Sequence, residues 1–202
     1  MELNGRIFVT SDTHFGEDAI RRRFGRDFDD IETMNQCLVD GINDVVRPDD
    51  VLLHLGDFVG NLADSRVRTA ESIRDRIACR RIILVRGNHD PAGKPRFTDL
   101  FDSVHDLLSF KVASPEPDSQ RVRLVLSHYP LRVWQGRHDG ALHLYGHAHG
   151  TVEELGRSTD VGVDCWGFRP QSLESIVSML CRRPVGFDRI RPRVQPERSA
   201  ES

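Results

Sequence analysis

Five short polar segments carry side chains of the kinds that bind metal ions. They are Ser11–Gly16 (SDTHFG), Gly56–Phe58 (GDF), Gly87–Asp90 (GNHD), Ser127–Pro130 (SHYP) and Gly146–His149 (GHAH). Together they supply Asp12, His14, Asp57, Asn88, His128, His147 and His149. Imidazole nitrogens mixed with carboxylate and amide oxygens, and no thiolate, suit Mn, Fe, Zn or Co better than calcium. Asp12 and His14 stand two apart, as do His147 and His149, so each pair would face one way in a continuing strand. Gly56, Gly87 and Gly146 each precede a candidate ligand, where glycine permits a sharp turn and leaves room for an ion. The two oxygens of Asp57 could bridge two ions.

The elements that must position these groups are legible in the hydrophobic pattern. Each segment follows an apolar run: Arg6–Thr10, Val51–Leu55, Arg81–Val85, Arg121–Leu126 and Ala141–Tyr145 all read as strands. Val104–Val112 and Thr159–Val163 read as further strands. Apolar residues at 31, 34, 38, 42 and 45 predict a helix over Ile31–Val46, with Asp29 and Glu32 as its capping box and Pro48 closing it. Ser65–Cys79 and Ser172–Cys181 read as helices, and Ser114–Gln120, with Pro115 and Pro117, as a turn or loop. Strand–helix alternation followed by a strand-rich half predicts an α/β sandwich with mixed sheets. The polar segments would then collect at strand ends, where open α/β sheets carry their sites.

A length of 202 residues suits one domain, expected over 1–182, with a Pro-, Arg- and Ser-rich tail over 183–202. Hydrophobic content of 38%, mean hydropathy of −0.43 and a net charge of −3 describe a soluble chain without a global pull toward nucleic acid or membrane. No apolar run is long enough to span a bilayer, and Met1–Thr10 is too short and polar for a secretory signal. Cys37, Cys79, Cys165 and Cys181 form no close pair and read as buried free thiols of a cytoplasmic protein. Of 28 basic residues only Lys94 and Lys111 are lysines, which GC-rich coding explains as readily as phosphate recognition does.

The ordered blocks D-x-H, G-D, G-N-H-D, H and G-H-x-H resemble the calcineurin-like metallophosphoesterase family, over positions 12 to 149. Within it the chain is most similar to small bacterial and phage phosphoesterases that begin SDTHFG and carry a segment like Val161–Pro170. The resemblance implies a β-sandwich flanked by helices and a dinuclear site at strand ends. It places Asp12, His14 and His149 on one metal, Asn88, His128 and His147 on the other, and Asp57 between them. It places His89, the catalytic candidate, over the substrate phosphate rather than on a metal. One departure is visible. The protein Ser/Thr phosphatase branch has a second aspartate after its G-D pair that orients the catalytic histidine; this chain has Gly60 there, which disfavours protein phosphatase activity.

The expected cofactors are two divalent cations, Mn first, with Fe, Zn, Co or Ni as alternatives. Water between two such ions would lose a proton near neutral pH and attack phosphorus in line with the leaving oxygen. The expected reaction is phosphodiester hydrolysis on a small or nucleotide-like substrate. Phosphomonoester hydrolysis is the alternative, and a non-catalytic scaffold on the same fold is the alternative of a different class. A small phosphate ester is the expected partner, with no membrane; nucleic acid and oligomeric state stay open. Specificity would come from Gly16–Asp30, Tyr129–Gly140 and Asp164–Pro170. The run Arg21–Arg26 reads equally as a phosphate clamp or a solvated loop. His54 and His143 read as packing or surface residues, and His138 as a surface residue. His105 also lies outside the five blocks.

Overall fold

The computed structural model describes residues 5–62, 65–115 and 121–185. Two sheets form a sandwich. The first has strand order β4-β3-β2-β1-β9, where β1 is Ile7–Thr10, β2 Val51–His54, β3 Arg81–Val85, β4 Ser103–His105 and β9 Gln171–Ser172. Strands β1 to β4 run parallel and β9 pairs antiparallel to β1. The second has order β5-β6-β7-β8, with β5 Leu107–Ala113, β6 Arg121–Ser127, β7 Leu142–Tyr145 and β8 Ser158–Asp160. Here β5 and β6 are antiparallel and the other pairs parallel.

Parallel neighbours need long crossovers, and helices supply them. Helix α2 (Ile31–Val45) connects β1 to β2, and α3 (Arg66–Arg76) connects β2 to β3. Both faces of the first sheet are therefore covered, which explains its unbroken apolar strands. Phe8, Leu52, Ile82 and Leu84 pack against Met34, Leu38 and Ile42 of α2 and Ala70 and Ile73 of α3. The alternate residues Val9, Val51, Leu53, Ile83 and Val85 turn the other way, onto Val122, Leu124, Leu126, Leu142 and Leu144 of the second sheet. Ile176, Val177 and Leu180 of α5 (Leu173–Cys181) join that inner layer. Among the described residues no helix is long and apolar enough to cross a membrane.

The architecture matches the expected mixed-sheet α/β sandwich, with differences in detail. Val104–Val112 is not one strand. Asp106 separates β4 from β5, which belong to different sheets, so the chain changes sheet within one residue. The cap of α2 is Asp30, whose carboxylate accepts from the Thr33 amide at 2.7 Å, and not the box of Asp29 and Glu32. The helix read over Ser65–Cys79 spans only Arg66–Arg76 and buries two residues, Ala70 and Ile73. Strand β8 starts one residue early and ends at Asp160; Gly162 then pairs with Ser11 as an isolated bridge. Two short helices, α1 (Asp18–Arg23) and α4 (Pro95–Thr98), occupy stretches without a legible period. None of the four cysteines is in a disulfide; Cys79 and Cys181 are buried as expected, but Cys37 is half-buried and Cys165 exposed. Of the expected loop Ser114–Gln120, residues 116–120 lie outside the described residues. Of the expected tail, 186–202 lie outside them, while the guanidinium of Arg183 donates to the Ser158 carbonyl at 2.8 Å and pairs with Glu154.

Candidate metal centre

The five polar segments meet at one end of the sandwich. Asp12 and His14 follow β1, Asp57 follows β2, and Asn88 and His89 follow β3; His128 follows β6, and His147 and His149 follow β7. The first sheet thus delivers four of the seven candidate ligands and the second sheet three. Beyond Thr10 the chain keeps pairing with the segment after β2: the Asp12 amide donates to the Gly56 carbonyl and the His14 amide to the Asp57 carbonyl, both at 2.9 Å. It does so without remaining a strand. Asp12, His14, Asp57, His147 and His149 all have positive φ, between 48° and 65°. Asp12 and His14 converge through alternating left-handed residues rather than through strand alternation, while His147 and His149, left-handed as well, go to different groups.

For a residue with a Cβ that conformation costs about 1–3 kcal/mol, and such strain persists only where the surroundings impose it. Here they do. The buried carboxylate of Asp90 accepts from the amides of Asp57, Phe58 and Gly87, each at 2.9 Å, and locks the two turns after β2 and β3 together. Close approach explains two of the glycines. A Cβ at Gly87 would overlap Asp57 Oδ1, and one at Gly146 would overlap Ser11 Oγ and Asp12 Oδ2.

Among the described residues the candidate ligand atoms fall into three groups, one of which, His14 with Glu17 and His89, shares His14 with the first of the two described next. Those of Asp12, His14 and His149 lie within 4.8 Å of one another, and so do those of Asp57, His128 and His147. Asp57 Oδ2 stands between the groups, 3.5 Å from His14 Nε2 and 3.4 Å from His128 Nε2. Asn88 Oδ1 is 3.0 Å from His128 Nε2, and His147 Nδ1 is 3.2 Å from it. His89 belongs to neither the Asp12 group nor the Asp57 group, but its ring nitrogen lies with the His14 nitrogen and the Glu17 carboxylate oxygen in the third. Its ring centroid is 4.9 Å from that of His14, and its backbone amide donates to Asp57 Oδ1 at 2.8 Å.

Three of the histidines are oriented from behind. His14 Nδ1 meets Glu17 Oε2 at 2.8 Å, His128 Nδ1 the Leu55 carbonyl at 2.9 Å, and His149 Nδ1 Asp164 Oδ2 at 2.6 Å. An acceptor opposite Nδ1 fixes the proton there and turns the Nε2 lone pair toward the centre, the arrangement of metal-binding imidazoles. His14 Nε2 is buried with no hydrogen-bond partner, and a lone pair in that position is expensive unless something positive meets it. Asp12 carries the same message: its carboxyl is fully buried, and burial pushes it up to about 7 against the pull of His128 and His149. For Asp57, burial works against ionisation, but the hydrogen bond and charge of His128, with the charge of His14, hold it down at about 2. A nitrogen-and-oxygen donor set with a bare lone pair and a destabilised carboxylate fits divalent cations of the Mn, Fe and Zn kind.

Four residues support the site in a way the sequence did not assign to them: Glu17, Arg26, Asp90 and Asp164. Buried Arg26 donates to both oxygens of Asp164 at 2.7 Å and to the carbonyls of Asp12 at 2.7 Å and Thr13 at 3.1 Å. It is a structural pin, which removes it from the suggested phosphate clamp. Arg21 is engaged by Asp18 and the Phe28 carbonyl, Arg22 by Asp18, and Arg23 lies over the Phe24 ring. Phe24 in turn stacks on His149, with centroids 3.8 Å apart. His54 and His143 are packing residues. His54 Nε2 is 3.0 Å from the Thr13 hydroxyl, and His143 sits between the Val125 carbonyl and the Leu131 amide, both at 3.0 Å. His138 is exposed, and His105 bonds Ser103.

The sequence model of the calcineurin-like phosphoesterase family matches residues 5–151. The uncharacterized protein MJ1445 of Methanocaldococcus jannaschii is 26% identical over 182 residues, covering 87% of this chain and 91% of that protein. The gene 66 protein of Mycobacterium phage L5 is 26% identical over 183 residues, covering 79% of this chain and 87% of its own. Among solved structures, protein AQ665 of Aquifex aeolicus superposes with a TM-score of 0.60 at 23% identity, covering 87% of this chain and 100% of that one, a likeness of fold.

Proposed function

Since the chain belongs to the calcineurin-like phosphoesterase family and is a metal-dependent phosphoric ester hydrolase, we propose that it holds two divalent cations, Mn first, and cleaves phosphodiesters of small or nucleotide-like substrates. Asp12, His14 and His149 would hold one cation, Asn88, His128 and His147 the other, with Asp57 shared. Bound there, the cations supply Lewis acidity toward phosphate oxygens and lower the pKa of water. The observation that carries the reading is the position of Asp57 Oδ2, within 3.5 Å of two imidazole nitrogens from different groups, each with its other nitrogen already committed.

The protein's own groups have separate tasks. Asp90, Arg26, Glu17 and Asp164 hold the strained turns and imidazoles in place, so little reorganisation is left for the reaction itself. His89 is a quarter exposed and is tied through its backbone amide to Asp57, which sets its ring beside the centre. It would give a proton to the leaving oxygen. A diester carries a substituent on each side of phosphorus and needs an open approach. Asn88 and His147 are exposed while Asp12 and His14 are buried, so the second group faces solvent. Half-exposed Tyr129, with its ring 4.6 Å from that of His147, offers an apolar wall for one substituent. The absence of a disulfide at Cys37, Cys79, Cys165 and Cys181 fits a reducing cytoplasm. A scaffold that has lost catalysis fits poorly with a donor set from which no member is missing.

Chelation should abolish hydrolysis and added Mn²⁺ should restore it, with bis-nitrophenyl phosphate turned over faster than the mono-ester. Full activity in protein verified to be metal-free would overturn the mechanism. Preference for the mono-ester would replace the diester reading with phosphomonoesterase activity.

A further inference from the structure

Glu17 opens α1 but does not cap it. The N-cap position usually turns its side chain back to the helix amides; here no such bond forms, and the carboxylate reaches into the centre instead. Its side chain is 15% exposed. Oε2 lies 2.8 Å from His14 Nδ1 and 4.0 Å from His89 Nδ1, and the backbone amide of Asn61 also supports the carboxylate. A single carboxylate oxygen therefore faces the Nδ1 atoms of two histidines whose rings meet edge to face at 70°.

The site has room for that carboxylate only because residue 60 is glycine. A Cβ built at Gly60 would overlap the Cβ of Glu17 and stand 2.5 Å from its Oε2. Backbone geometry gives no other reason for glycine there, because Gly60 is not among the positive-φ positions. Its amide donates to the Phe15 carbonyl at 3.1 Å, which fixes it beside the turn that carries Glu17. Position 60 and Glu17 thus exclude each other's side chains.

We propose that Glu17 is a positioning residue that sets two imidazoles at once. It holds His14 with Nε2 toward Asp12 and Asp57, and holds His89 with Nδ1–H toward itself, so that Nε2 of the imidazolium form is the nitrogen aimed at the leaving oxygen. The distance of 4.0 Å to His89 is an ion-pair distance, and catalytic hydrogen bonds commonly tighten from such lengths when substrate arrives. The inference rests on the reading of His89 as the general acid.

The test uses the full chain at saturating Mn²⁺ and five variants: Glu17→Gln, Glu17→Gly, Gly60→Ala, the double variant Glu17→Gly/Gly60→Ala, and His89→Ala. Bound metal per chain, kcat and KM are measured for esters whose leaving groups run from nitrophenol to simple alcohols. His89→Ala should keep its metal and lose about 10²–10⁴-fold in kcat on alkyl esters, with much less loss on nitrophenyl esters that need no proton. Glu17→Gln, nearly the same shape, should also keep its metal and an unchanged KM. It should show the same leaving-group pattern at about 10–100-fold, the range seen when a supporting partner is removed. Gly60→Ala should copy it by displacing Glu17, and the double variant should be no worse than Glu17→Gly alone, as shared action requires. A leaving-group pattern in His89→Ala that is absent from Glu17→Gln overturns the inference and leaves the acid reading standing. Loss of metal from Glu17→Gln, with equal slowing on every ester, limits Glu17 to His14 and also overturns it. No leaving-group pattern in His89→Ala removes the acid reading, and the inference with it.

Discussion

Arg26 and Asp164 are 138 residues apart in the chain and close on each other with a two-pronged ion pair. The same guanidinium holds the carbonyls of Asp12 and Thr13, and the same carboxylate receives His149 Nδ1. Burial works against ionisation of Asp164, but His149 and Arg26 hold its carboxyl down at about 2. Removing one member of a buried pair leaves an uncompensated charge, so Arg26→Met should cost about 3–5 kcal/mol in denaturant unfolding. It should also weaken metal binding, because His149 loses its support; a cost within about 1 kcal/mol would show the pair to be dispensable. Asp12, His14, Asp57, Asn88, His128, His147 and His149 were legible as candidates in the sequence because metal chemistry restricts residue type. Arg26, Glu17, Asp90 and Asp164 were not, because any charged residue satisfies the sequence and only the folded contacts give these four their tasks.

Helix α2 packs Met34, Leu38 and Ile42 onto the first sheet and brings the chain from the Asp12 turn to β2. Its start depends on Asp30. Asp30→Ala should lower stability by about 1 kcal/mol, the usual cost of a lost cap, and Asp29→Ala should be neutral in the same melting experiment. Equal losses would return the cap to the box of Asp29 and Glu32. The helix itself was readable because its apolar residues keep a period near 3.6. Strands β1, β2 and β3 were readable as apolar runs, since both their faces are buried. The break at Asp106 was not readable. Nothing in Val104–Val112 marks a turn, and the change of sheet is enforced by pairing: His105 accepts from the Arg86 amide on one side, while Leu107 pairs with Ser127 on the other. Helix α3 gave the opposite difficulty, since two buried residues make too faint a stripe to fix its ends.

At the scale of the molecule, buried neutral histidines tie stability to pH. Burial pushes His143 down to about 4 and His54 down to about 3. A histidine whose folded pKa is lowered is neutral in the native state while the unfolded chain takes up a proton below about 6.5. Stability therefore falls as pH drops from 6.5 through 4, by about 3 kcal/mol for His143 alone at about 1.4 kcal/mol per unit. Asp12 and Asp90, which burial pushes up to about 7 and about 6, act with the opposite sign in metal-free protein. The informative quantity is thus a difference. The fall in Tm between pH 6.5 and 4 should be shallower in His143→Asn than in the parent chain; identical slopes would mean that His143 takes up its proton in the folded state.

Candidate ligands drawn four from one sheet and three from the other would also make the centre a clasp between two leaves of a book. Whatever the cations do to a phosphate ester, binding them must resist any motion that parts the leaves, because each leaf supplies donors to a shared charge. Amide hydrogen exchange reads such motion directly. On loading with Mn²⁺, exchange should slow at the Asp12 and His14 amides and, in the same step, at the His147 and Ala148 amides across the seam. Protection confined to one leaf would mean that the cation belongs to that leaf alone. Protection of both together would make metal supply, and not the core, the control on how often this edge of the sandwich opens.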